Sequence, residues 1–151
     1  MSVGYVLVAS DTTLVSENIS AAVREAGLEV AEASTGQAVI AAAHADPPDL
    51  VVVDLQMGSM GGMAICMDLH LDESWGKIAH IPVLMLLDRR ADVFLARRCA
   101  AEGWLIKPLD AVRVRRAVTT LLEGGAFHDD SYQPLPIRTA PPVRAADAIA
   151  H

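Results

Sequence analysis

Leu50-Val51-Val52-Val53-Asp54 decides the reading of this chain. Four apolar residues run into a carboxylate, and Gly58-Ser59-Met60-Gly61-Gly62 follows. So short and continuous an apolar run is a strand buried on both faces, the habit of parallel sheets. Pro47-Pro48 before it and the glycines after it leave no room for a long buried helix. Open α/β sheets place their chemistry at the carboxyl ends of strands, where Asp54 stands. Taken alone, Asp54 serves equally well as a cap for the helix that follows.

Similar segments recur outward from this strand. Tyr5–Ala9 reads as a first strand, and Ser10-Asp11-Thr12 opens a helix carrying Val15, Ile19, Ala22, Val23 and Ala26 at helical spacing up to Gly27. Residues 28–33 form a weaker strand whose Glu29 and Glu32 suit a sheet edge. Ser34-Thr35-Gly36 starts an Ala-rich helix that ends near His44. A helix is predicted from about Ser59 to Leu71, with Met60, Met63 and Met67 as a core stripe. A loop over 72–80 then leads to a buried strand over 81–87. Residues 90–101 read as a helix, 104–106 as a fifth strand, and 110–122 as a last helix with Val114, Ala117, Val118 and Leu121 inward and Arg113 and Arg116 outward. Such alternation predicts an α/β fold, a doubly wound five-stranded parallel sheet of order 2-1-3-4-5. The domain is expected to span 1–123. Residues 124–151, rich in Pro and Ala, read as a mostly disordered tail.

Composition narrows the function. The chain has 151 residues, 52% hydrophobic and 21% charged, with no apolar run as long as a membrane span and no basic stretch ahead of an apolar one at the N-terminus. Cys66 and Cys99 lack a CxxC spacing, so buried thiols of a reduced, cytoplasmic protein are expected. The net charge of −7 is uneven: residues 1–88 carry 2 basic and 12 acidic side chains, and residues 89–116 carry 8 basic and 3 acidic. An acidic body with one basic quarter suggests a directional surface and argues against wholesale nucleic-acid binding.

Asp11, Asp54 and Lys107 follow strands 1, 3 and 5. A parallel sheet of that order gathers them along one edge, with the two acids adjacent at the switch point. Paired carboxylates repel unless a proton or cation intervenes, and with backbone oxygens and waters they suit Mg²⁺. A lysine aimed at the same point neutralises an incoming phosphoryl group. Nucleophilic carboxylate, divalent ion and lysine are the parts needed to form an acyl phosphate.

With these residues in order, the chain resembles the receiver domain of bacterial two-component response regulators, a flavodoxin-like fold, over residues 4–123. The motifs are Val6-Leu7-Val8-Ala9-Ser10-Asp11, Asp54 to Gly62, Ile81-Pro82-Val83-Leu84-Met85-Leu86, and Gly103-Trp104-Leu105-Ile106-Lys107-Pro108. The resemblance implies Asp54 as phosphoacceptor, Lys107 as phosphoryl contact, Pro108 after a cis peptide bond, and Mg²⁺ held by Asp11, Asp54 and the Gln56 carbonyl. It also implies a histidine kinase or other phosphodonor and an output partner or homodimer on the helix 4–strand 5–helix 5 face. The Ala and Arg richness is similar to that of the small single-domain regulators of actinobacteria.

The departures are specific. Ser10 stands where the family has a second acid, which weakens the metal site. Leu87 replaces the Ser or Thr whose hydroxyl meets the phosphoryl group, and Asp88 replaces a small residue. Trp104 fills the aromatic switch position and is large enough to be fixed in one rotamer. The expected function is an atypical single-domain response regulator in a phosphorelay, accepting a phosphoryl group weakly at Asp54 and acting by protein contact, not an enzyme. A phosphorylation-independent pseudo-receiver adaptor is the alternative. A flavodoxin-like binder or small phosphotransferase lacks a glycine loop after strand 1. A nucleic-acid regulator using the Arg-rich face lacks aromatic residues, at 4%.

Overall fold

The computed structural model describes residues 4–58 and 60–129. The elements in order are β1 (Tyr5–Ala9), α1 (Thr13–Glu25), β2 (Glu29–Ala33), α2 (Gly36–Ala45), β3 (Leu50–Asp54), α3 (Gly62–Ser74), β4 (Val83–Leu87), a 3₁₀ turn (Arg90–Asp92), α4 (Val93–Arg98), β5 (Gly103–Ile106), α5 (Ala111–Leu122) and β6 (Phe127–His128). All strand pairs are parallel, in the order β2-β1-β3-β4-β5-β6. The predicted α/β flavodoxin-like receiver fold is therefore observed, with one short strand added.

Helices cover both faces of the sheet, which is why β3 and β4 need unbroken apolar sequence. Val51, Val53, Val83, Met85 and Leu87 point into one core, with Val39 of α2, Ile65 and Leu69 of α3 and Ala96 of α4. Leu50, Val52, Leu84 and Leu86 point into the other, with Ile19 and Val23 of α1 and Val114, Val118 and Leu121 of α5. Each such buried side chain contributes roughly 1.5–3 kcal/mol relative to exposure. The edge strand β2 keeps its Glu29 and Glu32 exposed, as expected of an edge.

The boundaries differ from expectation in places. α3 begins at Gly62, not Ser59, and continues to Ser74. Its start is fixed by close approach: a Cβ on Gly62 would lie 2.5 Å from the Asp54 carbonyl oxygen. Met60 and Met63 pack against the core, but Met67 is 51% exposed, because Ile65, Cys66 and Leu69 are the residues that face the sheet. The helix expected over 90–101 is a 3₁₀ turn and six α-helical residues, ending before Ala100 at φ 61°. The sheet also continues past Glu123, where the sequence reading ended the domain: Phe127 and His128 pair with Gly103 and Trp104. The rest of the expected tail, residues 130–151, lies outside the described residues.

Candidate functional site

The carboxyl ends of β1, β3, β4 and β5 meet at one edge of the sheet, bringing Ser10, Asp54, Asp88 and Lys107 together. The Asp54 side chain ends β3 and is 1% exposed. Lys107 follows β5, with a cis peptide bond to Pro108, and its Nζ donates to Asp54 Oδ1 at 3.0 Å and Oδ2 at 3.1 Å. Ser10 Oγ donates to Asp54 Oδ2 at 3.2 Å, and the Gln56 backbone N–H to Oδ1 at 3.3 Å. Both carboxylate oxygens thus accept two donors each. The Ser10 hydroxyl is itself set by the Thr12 N–H, which donates to it at 3.0 Å.

Lys107 is shared. Its Nζ also donates to Asp88 Oδ1 at 2.9 Å, so one ammonium bridges a buried and a half-exposed carboxylate. Burial pulls the Lys107 pKa down, but the bonds to Asp88 and Asp54 outweigh it and hold the pKa above the ordinary lysine value. Asp88 therefore draws the lysine toward the mouth of the site.

Asp11 reaches the same edge because β1 and β3 are neighbours. Its side chain is exposed and lies beside Gly58, where an added Cβ would come 3.3 Å from Asp11 Oδ2. It lines an open cleft of about 320 Å³ with Ser10, Ser16, Glu17, Glu32 and Ser34. Receiver domains generally bind Mg²⁺ at this acidic edge. Here the Asp54 lone pairs are taken by Lys107, Ser10 and Gln56, and a hydroxyl stands in place of an acid. Among the described residues no group of three or more His, Cys, Asp or Glu is arranged for a metal. In this arrangement the donors do not fit a resident Mg²⁺.

The residues expected at the switch positions lie on and just after β4 and on β5. Leu87 is fully buried in the α2–α3–α4 core and offers no donor to the site. Trp104 is 2% exposed, and its ring stacks on His128 with centroids 4.1 Å apart and planes 2° from parallel. The Arg97 guanidinium lies 5.4 Å from the Trp104 ring centroid. The sequence reading missed His128 and Asp129. The signal available was an aromatic-bearing stretch, Ala126-Phe127-His128, directly after the Gly124-Gly125 stop.

Other expectations need correction. Arg113 is not outward: it donates to Asp110, Asp129 and the carbonyls of Ile106 and Pro108. His70, on α3, faces the Cys99 carbonyl at 3.0 Å and Glu102 at 3.4 Å. His80 pairs with Glu73 and Glu102, and Cys66 and Cys99 are buried free thiols. This cluster sits at the opposite edge of the sheet, where Glu102 caps the Val83 N–H at 2.8 Å. Arg98 and Arg116 remain exposed on the predicted basic face.

The family model of the response regulator receiver domain matches residues 6–119. The chain is a response regulator receiver domain. Among curated relatives, Response regulator PleD of Caulobacter vibrioides is 35% identical over 95 residues, covering 62% of this chain and 20% of that protein. Transcriptional regulatory protein PdtaR of Mycobacterium tuberculosis is 35% identical over 104 residues, covering 68% of this chain and 49% of that protein. The receiver thus spans between a fifth and a half of these relatives. Among solved structures, chemotaxis protein CheY4 of Vibrio cholerae is similar with a TM-score of 0.68 at 22% identity, covering 78% of this chain and 98% of that one. The receiver domain of NtrX from Brucella abortus gives a TM-score of 0.69 at 21% identity, with 78% and 98% covered. These two likenesses concern the fold. The receiver belongs to two-component signalling, and among its described residues no helix is long and apolar enough to cross a membrane.

Proposed function

We propose that this receiver acts by protein contact in the cytoplasm, and that phosphorylation of Asp54 changes its partner face little. Asp54 is the phosphoacceptor and Lys107 the phosphoryl contact. Asp11 and the Gln56 carbonyl are the remaining metal-side groups, and Ser10 is a poor replacement for an acid. In the transfer, an Asp54 oxygen bonds to phosphorus as the donor's P–N bond breaks, and the departing imidazole of a histidine kinase takes up a proton. For this, Lys107 must turn from the carboxylate to the phosphoryl oxygens while Asp88 competes for it. Acceptance is therefore slow. The domain catalyses nothing beyond it.

The observation that carries the reading is at the switch. Leu87 supplies no hydroxyl, and Trp104 is already buried, with His128 stacked on its ring and the Arg97 guanidinium close to it. A shift from ~1:99 to 99:1 needs roughly 5.5 kcal/mol of differential binding. One charge-assisted hydrogen bond supplies about 1.5–3 kcal/mol, and here it is missing. The α4–β5–α5 face, with its exposed arginines, is displayed in nearly one conformation to an output partner or a second copy. A nucleic acid is a poorer match: the chain is 4% aromatic, and among the described Phe, Tyr and Trp residues Phe94 alone is exposed beside these arginines.

The test uses beryllofluoride, a phosphoryl mimic, on the Trp75→Phe variant, so that fluorescence reports Trp104 alone. Little change in Trp104 emission, and little new amide protection across 89–116 in a sample shown to bind the mimic, is the expected result. A clear change in both would restore the ordinary switch. A second reading, a pseudo-receiver that never accepts a phosphoryl group, is favoured by the saturation of Asp54. Acetyl phosphate with Mg²⁺ and intact mass separates the two: a phosphoryl mass gain lost in Asp54→Asn excludes the pseudo-receiver.

A further inference from the structure

We infer that the outer edge of β5 is a strand-addition site, filled in cis by residues 125–129, which takes a short extended segment bearing a flat ring followed directly by a carboxylate. The inference deepens the protein-contact reading and rests on it, since it names the partner chemistry for the same side of the domain.

The receptor half is complete without the strap. The N–H of Ile106 on β5 points outward, and the Asp129 carboxylate caps it at 2.8 Å. Arg113 Nη1 donates to the same oxygen at 3.1 Å. That guanidinium is held by groups outside the strap: Asp110 Oδ2 accepts from Nε at 3.1 Å, and the Ile106 and Pro108 carbonyls accept from Nη2 at 3.3 and 2.8 Å. The carboxylate pocket is thus preorganised, and the Asp129 side chain in it is 1% exposed. One residue earlier, His128 lies flat on Trp104, next to an open cavity of about 200 Å³ lined by Arg90, Val93, Arg97, Trp104, His128 and Asp129. Gly103 completes the site, because a Cβ there would lie 2.8 Å from the Phe127 carbonyl oxygen.

The occupant is held by few backbone bonds. Phe127 N–H donates to the Glu102 carbonyl at 3.4 Å, and Asp129 N–H to the Trp104 carbonyl at 3.2 Å. The paired strand has two residues, and it leaves α5 through Gly124 at φ +90° and Gly125. So short a strand adds little backbone stability of its own. Ring and acid give it its specificity, as in other strand-addition sites, where main-chain bonds give affinity and side-chain pockets give selection. An acidic, ring-bearing segment of another protein offers the same bonds, and the arginines beside the cavity attract it.

The experiment uses the full chain with Trp75→Phe and no phosphodonor. His128→Ala combined with Asp129→Ala opens the site, and a synthetic peptide with the sequence of residues 124–129 is titrated in. Expected are greater acrylamide access to Trp104 in the variant and saturable restoration of its emission by the peptide. A peptide ending in Ala instead of Asp should bind about tenfold or more weakly, the loss set by one charge-assisted bond. A folded variant that binds neither peptide, or both equally, overturns the inference. Should the double variant fail to fold, His128→Ala alone keeps the buried ion pair. There the peptide should shift the amide signals of 103–106 at higher concentration, and no shift overturns the inference. Such a failure leaves the beryllofluoride result untouched, so the two readings fail separately.

Discussion

Replacing Ser10 with an acid tests whether the site has lost its metal balance. Ser10 Oγ lies 3.2 Å from Asp54 Oδ2 and donates to it. In Ser10→Asp that donor becomes a second negative charge at about the same separation. At an effective dielectric constant near 20, two unit charges about 3 Å apart repel by ~5 kcal/mol, an upper bound. Lys107 screens part of this, and proton uptake by the pair relieves more. A net destabilisation of ~1–3 kcal/mol is expected at neutral pH without metal. With an m-value of ~1–3 kcal/mol per molar urea, the urea midpoint falls by ~0.5–2 M. Mg²⁺ at millimolar concentration should restore the midpoint in the variant and leave the wild-type chain nearly unchanged. An unshifted midpoint, with no response to Mg²⁺ in either protein, would refute the placement of Ser10 against Asp54 as the reason the donors do not fit Mg²⁺.

Lys107→Met leaves the buried Asp54 carboxylate without its cation and should cost roughly 3–5 kcal/mol at neutral pH, read by urea denaturation; Asp88→Ala, which removes only the half-exposed partner, should cost under about 1 kcal/mol and speed acetyl phosphate labelling of Asp54 in a mass time course. Leu87→Thr should cost about 1–3 kcal/mol by burying a hydroxyl, yet make Trp104 emission respond to beryllofluoride; no gain in response would show that Trp104 is held by His128 alone. His70 has its pKa raised, first by its bond to Glu102, so its contribution is full below about pH 6.5 and is lost as pH rises through the folded value. In Glu102→Gln, whose side-chain carbonyl can still accept the Val83 N–H, that fall in urea midpoint between neutral and mildly alkaline pH should flatten.

The parts of this molecule that the sequence predicts are those set by local period and by strand ends. Val51 and Val53 enter one core and Leu50 and Val52 the other, so an unbroken apolar run is the only pattern β3 could carry, and it is readable without coordinates. Asp54 and Lys107 are placed by the same logic, because each ends a strand of a parallel sheet whose order follows from its crossovers. What the pattern does not predict is decided by contact. Met67 has the right spacing for a core stripe, but Ile65, Cys66 and Leu69 already fill the sheet-facing side of α3. Arg113 has the position of a surface cation. It turns inward because the Asp110 carboxylate and the Ile106 and Pro108 carbonyls hold its guanidinium, which also meets Asp129, 16 residues later. Phe127-His128 is too short to carry a period, so its pairing with β5 is invisible until Gly103 is seen to admit the Phe127 carbonyl. The last two misses meet at β5, the strand that also leads into Lys107. Ile106 N–H is held by Asp129 and the next residue's Nζ by Asp54, so adjacent residues of one chain serve the proposed partner edge and the proposed phosphoacceptor. Whatever factor an edge ligand puts on the affinity of the Asp54–Lys107 end for a phosphoryl mimic, the mimic puts the same factor on the edge ligand, because coupling between sites is reciprocal. In an ordinary receiver that coupling runs from the phosphoryl group outward. Here Leu87 offers no hydroxyl, and the backbone of β5 joins Ile106, held by Asp129, directly to Lys107, held by Asp54.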